Sequence, residues 1–254
     1  MSAGSPDGEH RPTADLPTTD PPTAGPSSTG AAWLAAEPVV ERLPLGRDSW
    51  VDVVRGFLPD APAVHDHLLH AVTWEQGSVF RYERTVDMPR LNARVAGRRV
   101  HPALAQAGTW LDRRYRVPLD AGALAQYRDG NDSVGFHRDR ELRWLEETVI
   151  GIVVLGARRP FLLRPLTGRR AEPDDLTDVI DLAPAGGDLL VLGGRCQAAW
   201  LHAVPKVRGP VGTRISVQYR WTSKRGRPDT NPGFYEARRF SSGPSGRQGP
   251  PRRG

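Results

Sequence analysis

Residues 213–221 read TRISVQYRW. Polar and apolar side chains alternate without a break. Arg214, Ser216, Gln218 and Arg220 take one face; Ile215, Val217, Tyr219 and Trp221 take the other. A period of two is the signature of a β-strand. One face suits an apolar core, while the other carries two guanidinium groups and a hydroxyl. That polar face is either the outer side of a half-exposed edge strand or the lining of a pocket. Seven stretches upstream share the strand character: GALAQYRD (122–129), SVGFHRD (133–139), ETVIGIVVLGA (147–157), PFLLRPL (160–166), DVIDLAP (178–184), GDLLVLGG (187–194) and WLHAVPKV (200–207). They are short and rich in Val, Ile and Leu. Turn signals such as RDGND (128–132) and PAGGD (184–188) separate them. Two helical patterns come first. LPDAPAVHDHLLHAVTW (58–74) opens a helix near Asp60, with Ala63, Val64, Leu68, Leu69 and Val72 as its buried stripe, and HPALAQAGTWLDRRY (101–115) is the second. Strands in series behind segregated helices predict a mainly β fold with N-terminal helices, a jelly roll.

The ends differ in composition from this middle. Residues 1–32 are rich in Pro, Ser, Thr and Gly and carry a net charge of −3; residues 224–254 carry +6 and end in SSGPSGRQGPPRRG. Both are expected to be disordered segments, with one domain over 33–223 between them. The chain's formal charge of +6 leaves only about +3 on that domain. Such a charge permits a nucleic-acid partner without requiring one. Of the 35 basic residues, only Lys206 and Lys224 are lysines, so arginine is a compositional habit here. The lone Cys196 excludes an internal disulfide and points to a reducing compartment. The sequence lacks both a ~20-residue apolar run and a secretory leader pattern. A cytoplasmic monomer away from membranes is the expectation.

The chemistry starts at DSVGFHRDRE (132–141), which contains His137-Arg138-Asp139. On a strand, positions i and i+2 face the same side, so His137 and Asp139 would point together. A third ligand has to come from elsewhere. His65 and His67 diverge on a helix, and His67 and His70 read as helix surface. His202 sits in an apolar strand late in the series. A buried histidine can simply bond a backbone carbonyl. With His137 and Asp139, however, it completes two imidazoles and one carboxylate, the donor set of non-heme Fe(II) oxygenases. Twelve residues on, Arg214 offers a planar fork to a carboxylate and Ser216 adds a donor. Arg214 and Arg220 lie roughly 20 Å apart at ~3.3 Å per residue, and long side chains leaning inward could bracket a five-carbon diacid.

The stretches YRDGNDSVGFHRDRE, DLLVLGG, WLHAVPKV and RISVQYR together resemble the AlkB family of Fe(II)/2-oxoglutarate dioxygenases, most of all its DNA-repair branch. The resemblance runs from about Phe57 to Thr222 and is densest over 123–222. It implies a double-stranded β-helix with iron on His137, Asp139 and His202. It also implies 2-oxoglutarate on Arg214 and Arg220, with Tyr127 over it and Ser216 beside it, and O2 as the oxidant. FRYERTVDMPRLNARV (80–95) occupies the place of the family's nucleotide-recognition lid, with Phe80, Tyr82 and Arg90 on the substrate side. The implied activity is oxidative dealkylation of N-alkylated nucleic-acid bases, as in DNA alkylation repair, on a flipped or single-stranded nucleotide. The chain departs from the family at three points. Ala125 and Ser216 stand where asparagine is common. Arg140 follows the metal aspartate where repair members carry an acid, and the acid here is Glu141.

Three functions are therefore open at the level of sequence: base dealkylation, the same iron chemistry on a modified RNA, a protein or a small metabolite, or a non-catalytic nucleic-acid-binding jelly roll. The full set His137, Asp139, His202, Arg214 and Arg220 speaks for an enzyme, because a binding module has no use for both a metal triad and a dicarboxylate clamp.

Overall fold

The computed structural model describes residues 32–81, 84–94, 100–139, 142–166 and 178–229, with the backbone alone at 79–81 and 84. The elements are β1 (Glu41–Gly46), β2 (Ser49–Val54), α1 (Ala61–Ala71), β3 (Glu75–Arg81), β4 (Arg84–Arg94), α2 (Pro102–Tyr115), β5 (Asp120–Tyr127), β6 (Val134–His137), β7 (Thr148–Gly156), β8 (Leu162–Pro165), β9 (Ile180–Asp181), β10 (Leu189–Gly194), α3 (Cys196–Ala199), β11 (Trp200–Val204) and β12 (Arg214–Thr222). They form an eight-stranded sheet in the order β1-β2-β10-β7-β12-β5-β4-β3 and a four-stranded sheet in the order β6-β11-β8-β9. The strand pairings among the described residues are antiparallel.

β7 lies at the centre of the large sheet, and its sequence TVIGIVVLG is buried on both faces. Val149, Val153 and Leu155 meet the helices, in a core shared with Val64 and Leu68 of α1 and Leu104 and Leu111 of α2. Ile150, Ile152 and Val154 face the other way, into a second core with Val134, Leu163 and Trp200 of the small sheet and Phe161 just before β8. β12 splits in the same manner. Ile215, Val217 and Tyr219 join the helix-side core, and the Tyr219 hydroxyl donates to the Leu104 carbonyl at 2.9 Å. The opposite face of β12 turns its polar residues into the space between the sheets. The mainly β jelly roll read from the sequence is the fold, and the alternation of TRISVQYRW assigns its faces correctly.

α2 packs close to the sheet because Gly151 has no side chain: a Cβ there would lie 2.9 Å from Leu111 Cδ1. Its N-terminus is capped by His101, whose Nδ1 accepts from the Ala103 amide at 3.1 Å, and Pro102 follows at a position that needs no donor. β1, one of the two edge strands of the large sheet, is exposed along nearly its whole length. Glu41, Arg42 and Pro44 there discourage further pairing.

Three expectations need correction. The helices are not all ahead of the strands: β1 and β2 precede α1, and β3 and β4 lie between the helices. Polar residues on both faces of these strands blurred their period. On α1, Ala63 is exposed, and Ala61, Val64 and Leu68 form the buried stripe. β6 ends at His137, so Asp139 lies beyond it and does not share a face with His137 through strand alternation. Among the described residues, no helix is long and apolar enough to cross a membrane. Of the two segments read as disordered, 1–32 lies almost wholly outside the described residues, and of 224–254 only residues 224–229 are described.

Candidate active site

The small sheet brings His137 and His202 together. β11 pairs antiparallel with β6, and His202 and His137 are direct cross-strand partners. Their ring centroids stand 4.2 Å apart. Asp139 curls back from the end of β6 to meet them. Its Oδ1 lies 3.8 Å from His137 Nε2 and 3.7 Å from His202 Nε2. One ligand atom from each of the three residues lies within 4.8 Å of the others, the only such group of three or more metal-ligating side chains among the described residues.

The surrounding bonds prepare these atoms for a cation. His137 Nδ1 lies 2.8 Å from the Gly135 carbonyl. A carbonyl only accepts, so the proton sits on Nδ1 and the Nε2 lone pair faces Asp139. Asp139 divides its two oxygens: Oδ1 turns to the imidazoles, and Oδ2 accepts from Arg220 Nε at 2.8 Å. Its amide donates to Gln197 Oε1 at 2.7 Å. This is the outer support that orients metal ligands. Burial alone would raise the Asp139 carboxyl, but Arg220 and the two imidazoles outweigh it and hold it below the usual carboxylate range. Burial, followed by repulsion from His137, pushes His202 down to about 3. Burial also lowers His137, opposed by Asp139 and reinforced by Arg90. The result is an ionised carboxylate beside two neutral imidazoles, the protonation state that binds a divalent metal.

Arg214 lies at the other end of the polar face of β12. Its side chain is fully buried, at 0% exposure. Nη1 donates weakly to the Arg159 carbonyl at 3.3 Å, and Nε and Nη2 are buried without an acceptor. Burial moves its guanidinium down to about 10, so it is charged at neutral pH. A buried, charged fork with two idle donors calls for an anionic ligand. Tyr127 is its cross-strand partner, with the guanidinium carbon 5.9 Å from the ring centre. Ser216 is buried one alternation along the strand. These residues therefore fit a dicarboxylate between Arg214 and the metal triad, with Arg220 at the metal end.

Arg90, on β4, reaches the same space: its Nη1 donates to the Tyr127 hydroxyl at 3.3 Å. A cavity of about 480 Å³ adjoins it, lined by Arg90, Asn92, Arg94, Leu142, Gln218 and Arg220 among others. Phe80 lies on β3, where it pairs with Thr85 across the hairpin, and its side chain is outside the description. Tyr82, Arg140 and Glu141 lie outside the described residues.

Two residues missed at the sequence level support the site. Gln197, almost wholly buried, links the short turn ahead of β11 to the backbone of Asp139. Arg159, also buried, donates to the carbonyls of Asp129, Asp132 and Pro205, each at 2.7 Å. It thereby ties the loop before β6 to the loop after β11. Gln197 stands in an apolar turn and Arg159 in an ordinary Arg-Arg pair after a strand, and neither pattern carries a signal.

Residues 56–226 match the sequence model of the 2OG-Fe(II) oxygenase superfamily. The chain is 30% identical over 113 residues to the DNA oxidative demethylase ALKBH2 of Bos taurus, covering 42% of this chain and 41% of that protein. It is 26% identical over 181 residues to the alpha-ketoglutarate-dependent dioxygenase alkB homolog 3 of Bos taurus, covering 64% and 62%. The matched part thus spans about two fifths of ALKBH2. A prolyl hydroxylase from Trichoplax adhaerens, solved with a hypoxia-inducible-factor peptide, superposes with a TM-score of 0.47 at 14% identity over 67% of this chain and 82% of that one.

Proposed function

Because the chain belongs to the 2OG-Fe(II) oxygenase superfamily, in which it is AlkB-like, we propose that it oxidatively dealkylates N-alkylated bases of nucleic acid. The observation that carries the reading is the pairing of the largely buried His137–Asp139–His202 cluster with the idle guanidinium donors of Arg214. A non-catalytic jelly roll has no need of that combination. The nucleic-acid substrate is supported by likeness to a DNA oxidative demethylase and by the arginine-lined cavity beside Arg220.

In this reading His137 Nε2, Asp139 Oδ1 and His202 Nε2 would hold Fe(II). Arg214 grips one carboxylate of 2-oxoglutarate, with Tyr127 and Ser216 beside it. When bound, Fe(II) with 2-oxoglutarate and O2 supplies the oxidation: the cosubstrate becomes succinate and CO2, and one oxygen atom enters the alkyl C–H bond. The hydroxymethyl group of a methylated base then leaves as formaldehyde, and the ring nitrogen is restored. The protein's own part is positioning and the exclusion of water. Arg220 occupies the second oxygen of Asp139, which leaves Oδ1 as the oxygen that would serve the metal. Phe161, stacked on His202 at 5.7 Å, closes the apolar side of the site. A base inside a duplex cannot reach this space, so the nucleotide must be single-stranded or flipped out.

Arg90 supports a second reading of the substrate. Its charge lies close enough to depress both imidazoles, and it would oppose a cationic lesion while tolerating a neutral one. The same oxidation on a neutral substrate, such as an uncharged modified base in RNA, fits that charge.

The test is formaldehyde release with Fe(II), 2-oxoglutarate and O2 from oligonucleotides bearing 1-methyladenine, 3-methylcytosine or the neutral 1-methylguanine. Formaldehyde should appear in step with succinate. His137→Ala, Asp139→Ala and His202→Ala should each abolish both while the fold persists. Turnover at wild-type rate in one of them removes that residue from the triad. Succinate without formaldehyde on every alkylated DNA and RNA oligonucleotide places the substrate outside nucleic acid.

A further inference from the structure

The chain does not leave the domain where β12 ends. The Thr222 hydroxyl donates to the Trp144 carbonyl at 2.7 Å, and the Ser223 amide donates to the Glu147 carbonyl at 3.1 Å. Gly226 lies against Glu146, whose Cγ would be 3.4 Å from a Cβ placed on the glycine. The Asp229 amide donates to the Arg143 carbonyl at 2.7 Å. Residues 222–229 are therefore a strap laid along residues 143–147, just downstream of the metal motif. At the far end of the strap, the Asp229 carboxylate accepts from Arg138 Nη2 at 2.9 Å, with the two side chains only 18% and 16% exposed.

Arg138 is the residue between the two ligands His137 and Asp139. That location gives the ion pair its significance. The β6 ladder reaches His137 and no further, so regular pairing does not hold the backbone that carries Asp139. Gln197 holds it from one direction, through the Asp139 amide. The pair with Asp229 holds it one residue earlier, from the strap. A ligand left on a free loop must be ordered each time metal binds, and that ordering costs affinity. A tether made in advance removes the cost. A half-buried ion pair is also less screened than a surface one.

We propose that Asp229 is a positioning residue of the metal centre: through Arg138 it fixes the backbone between two ligands, so the C-terminal strap is part of the catalytic unit. The proposal rests on His137, Asp139 and His202 being the metal ligands. It also moves the functional end of the domain past residue 223, the boundary that composition suggested.

The experiment is a Co(II) titration of the full-length metal-free protein, followed by visible absorption, with the thermal midpoint of the metal-free form measured beside it. Asp229→Asn keeps the shape and removes the charge. It should raise the Co(II) dissociation constant about tenfold, the lower end of what outer partners of metal ligands contribute. The metal-free midpoint should stay within a degree or two. Asp229→Glu, which keeps the charge, should recover most of the affinity, and a chain ending at Arg227 should behave like Asp229→Asn. A dissociation constant within twofold of wild type in Asp229→Asn overturns the proposal. So does a loss of affinity that follows a matching fall in the metal-free midpoint, or one that Asp229→Glu fails to recover. His137→Ala separates the two levels: if it binds Co(II) as wild type does, the ligand assignment itself has failed, and the strap's role falls with it.

Discussion

Arg214 is the residue whose surroundings make least sense without a ligand. It is the C-terminal neighbour of a loop, yet it is fully buried, with two donors idle and one long bond to a carbonyl. Burying a guanidinium without a partner is costly, and the fold accepts that cost at the position where a dicarboxylate would need a counter-ion. Arg214→Ala should therefore raise the dissociation constant for 2-oxoglutarate by about 10–100-fold, the equivalent of losing a charged hydrogen bond worth ~1.5–3 kcal/mol. Calorimetric titration of the metal-loaded protein measures it, and an affinity within twofold of wild type would place Arg214 outside the pocket. This residue was legible because it lies on an alternating strand, where period alone assigns a face. His137, Asp139 and His202 were legible as a donor set, although strand alternation was the wrong reason for grouping the first two: Asp139 joins by a turn of the chain past β6. Arg159 and Gln197 were not legible. Their partners are backbone groups many positions away, and no local pattern marks a side chain that serves a distant carbonyl or amide.

The element that best shows what local sequence can and cannot fix is α2. Its extent follows from an apolar period and from Pro102 at its first turn, but its cap is an imidazole, a group that titrates near neutrality. His101 Nδ1 must be unprotonated to accept from Ala103. Burial, then repulsion from His67, lowers the His101 pKa against a smaller pull from Asp60. The sign follows directly. A folded pKa below the unfolded value of about 6.5 means that the fold favours the neutral ring. That contribution is complete above pH 6.5 and is lost as pH falls through the folded pKa. Denaturant unfolding at pH 7 and pH 5 should show a larger loss of stability for wild type than for His101→Asn, which caps without titrating. Equal losses would mean that the cap does not respond to pH. By contrast, β1 to β4 escaped a sequence reading. β3 and β4 put charged or polar residues on both faces, and β1 is a solvated edge, so tertiary pairing rather than period defines them.

Across the whole molecule, the eight-stranded sheet works as a partition. On its helix side lies an almost purely apolar core built from α1, α2 and alternate residues of β7, β10 and β12. On its other side lies the second core, and the buried Arg159, Arg214, Ser216, Asp139 and His202 cluster in that space. The site face carries most of the buried charge, Asp52 with Arg42 and Tyr115 being the exception on the helix face, and the helix face supplies apolar burial that offsets it. That division was hidden from sequence reading, because it depends on pairings such as β2 with β10 and β4 with β5, which join distant parts of the chain. It also makes a separable prediction. Leu111 is fully buried on the helix side and sits over the bare backbone of Gly151. Leu111→Ala leaves a cavity between α2 and β7, and should cost about 2–5 kcal/mol of unfolding free energy. The backbone of β7 and its inner side chains Ile150, Ile152 and Val154 lie between that cavity and the site side of the sheet, so the Co(II) spectrum and affinity of the folded protein should stay those of wild type. Chemical denaturation and Co(II) titration of the same variant read the two sides independently. If the affinity falls along with the stability, the sheet is not a partition, and strain on its helix face reaches the metal centre.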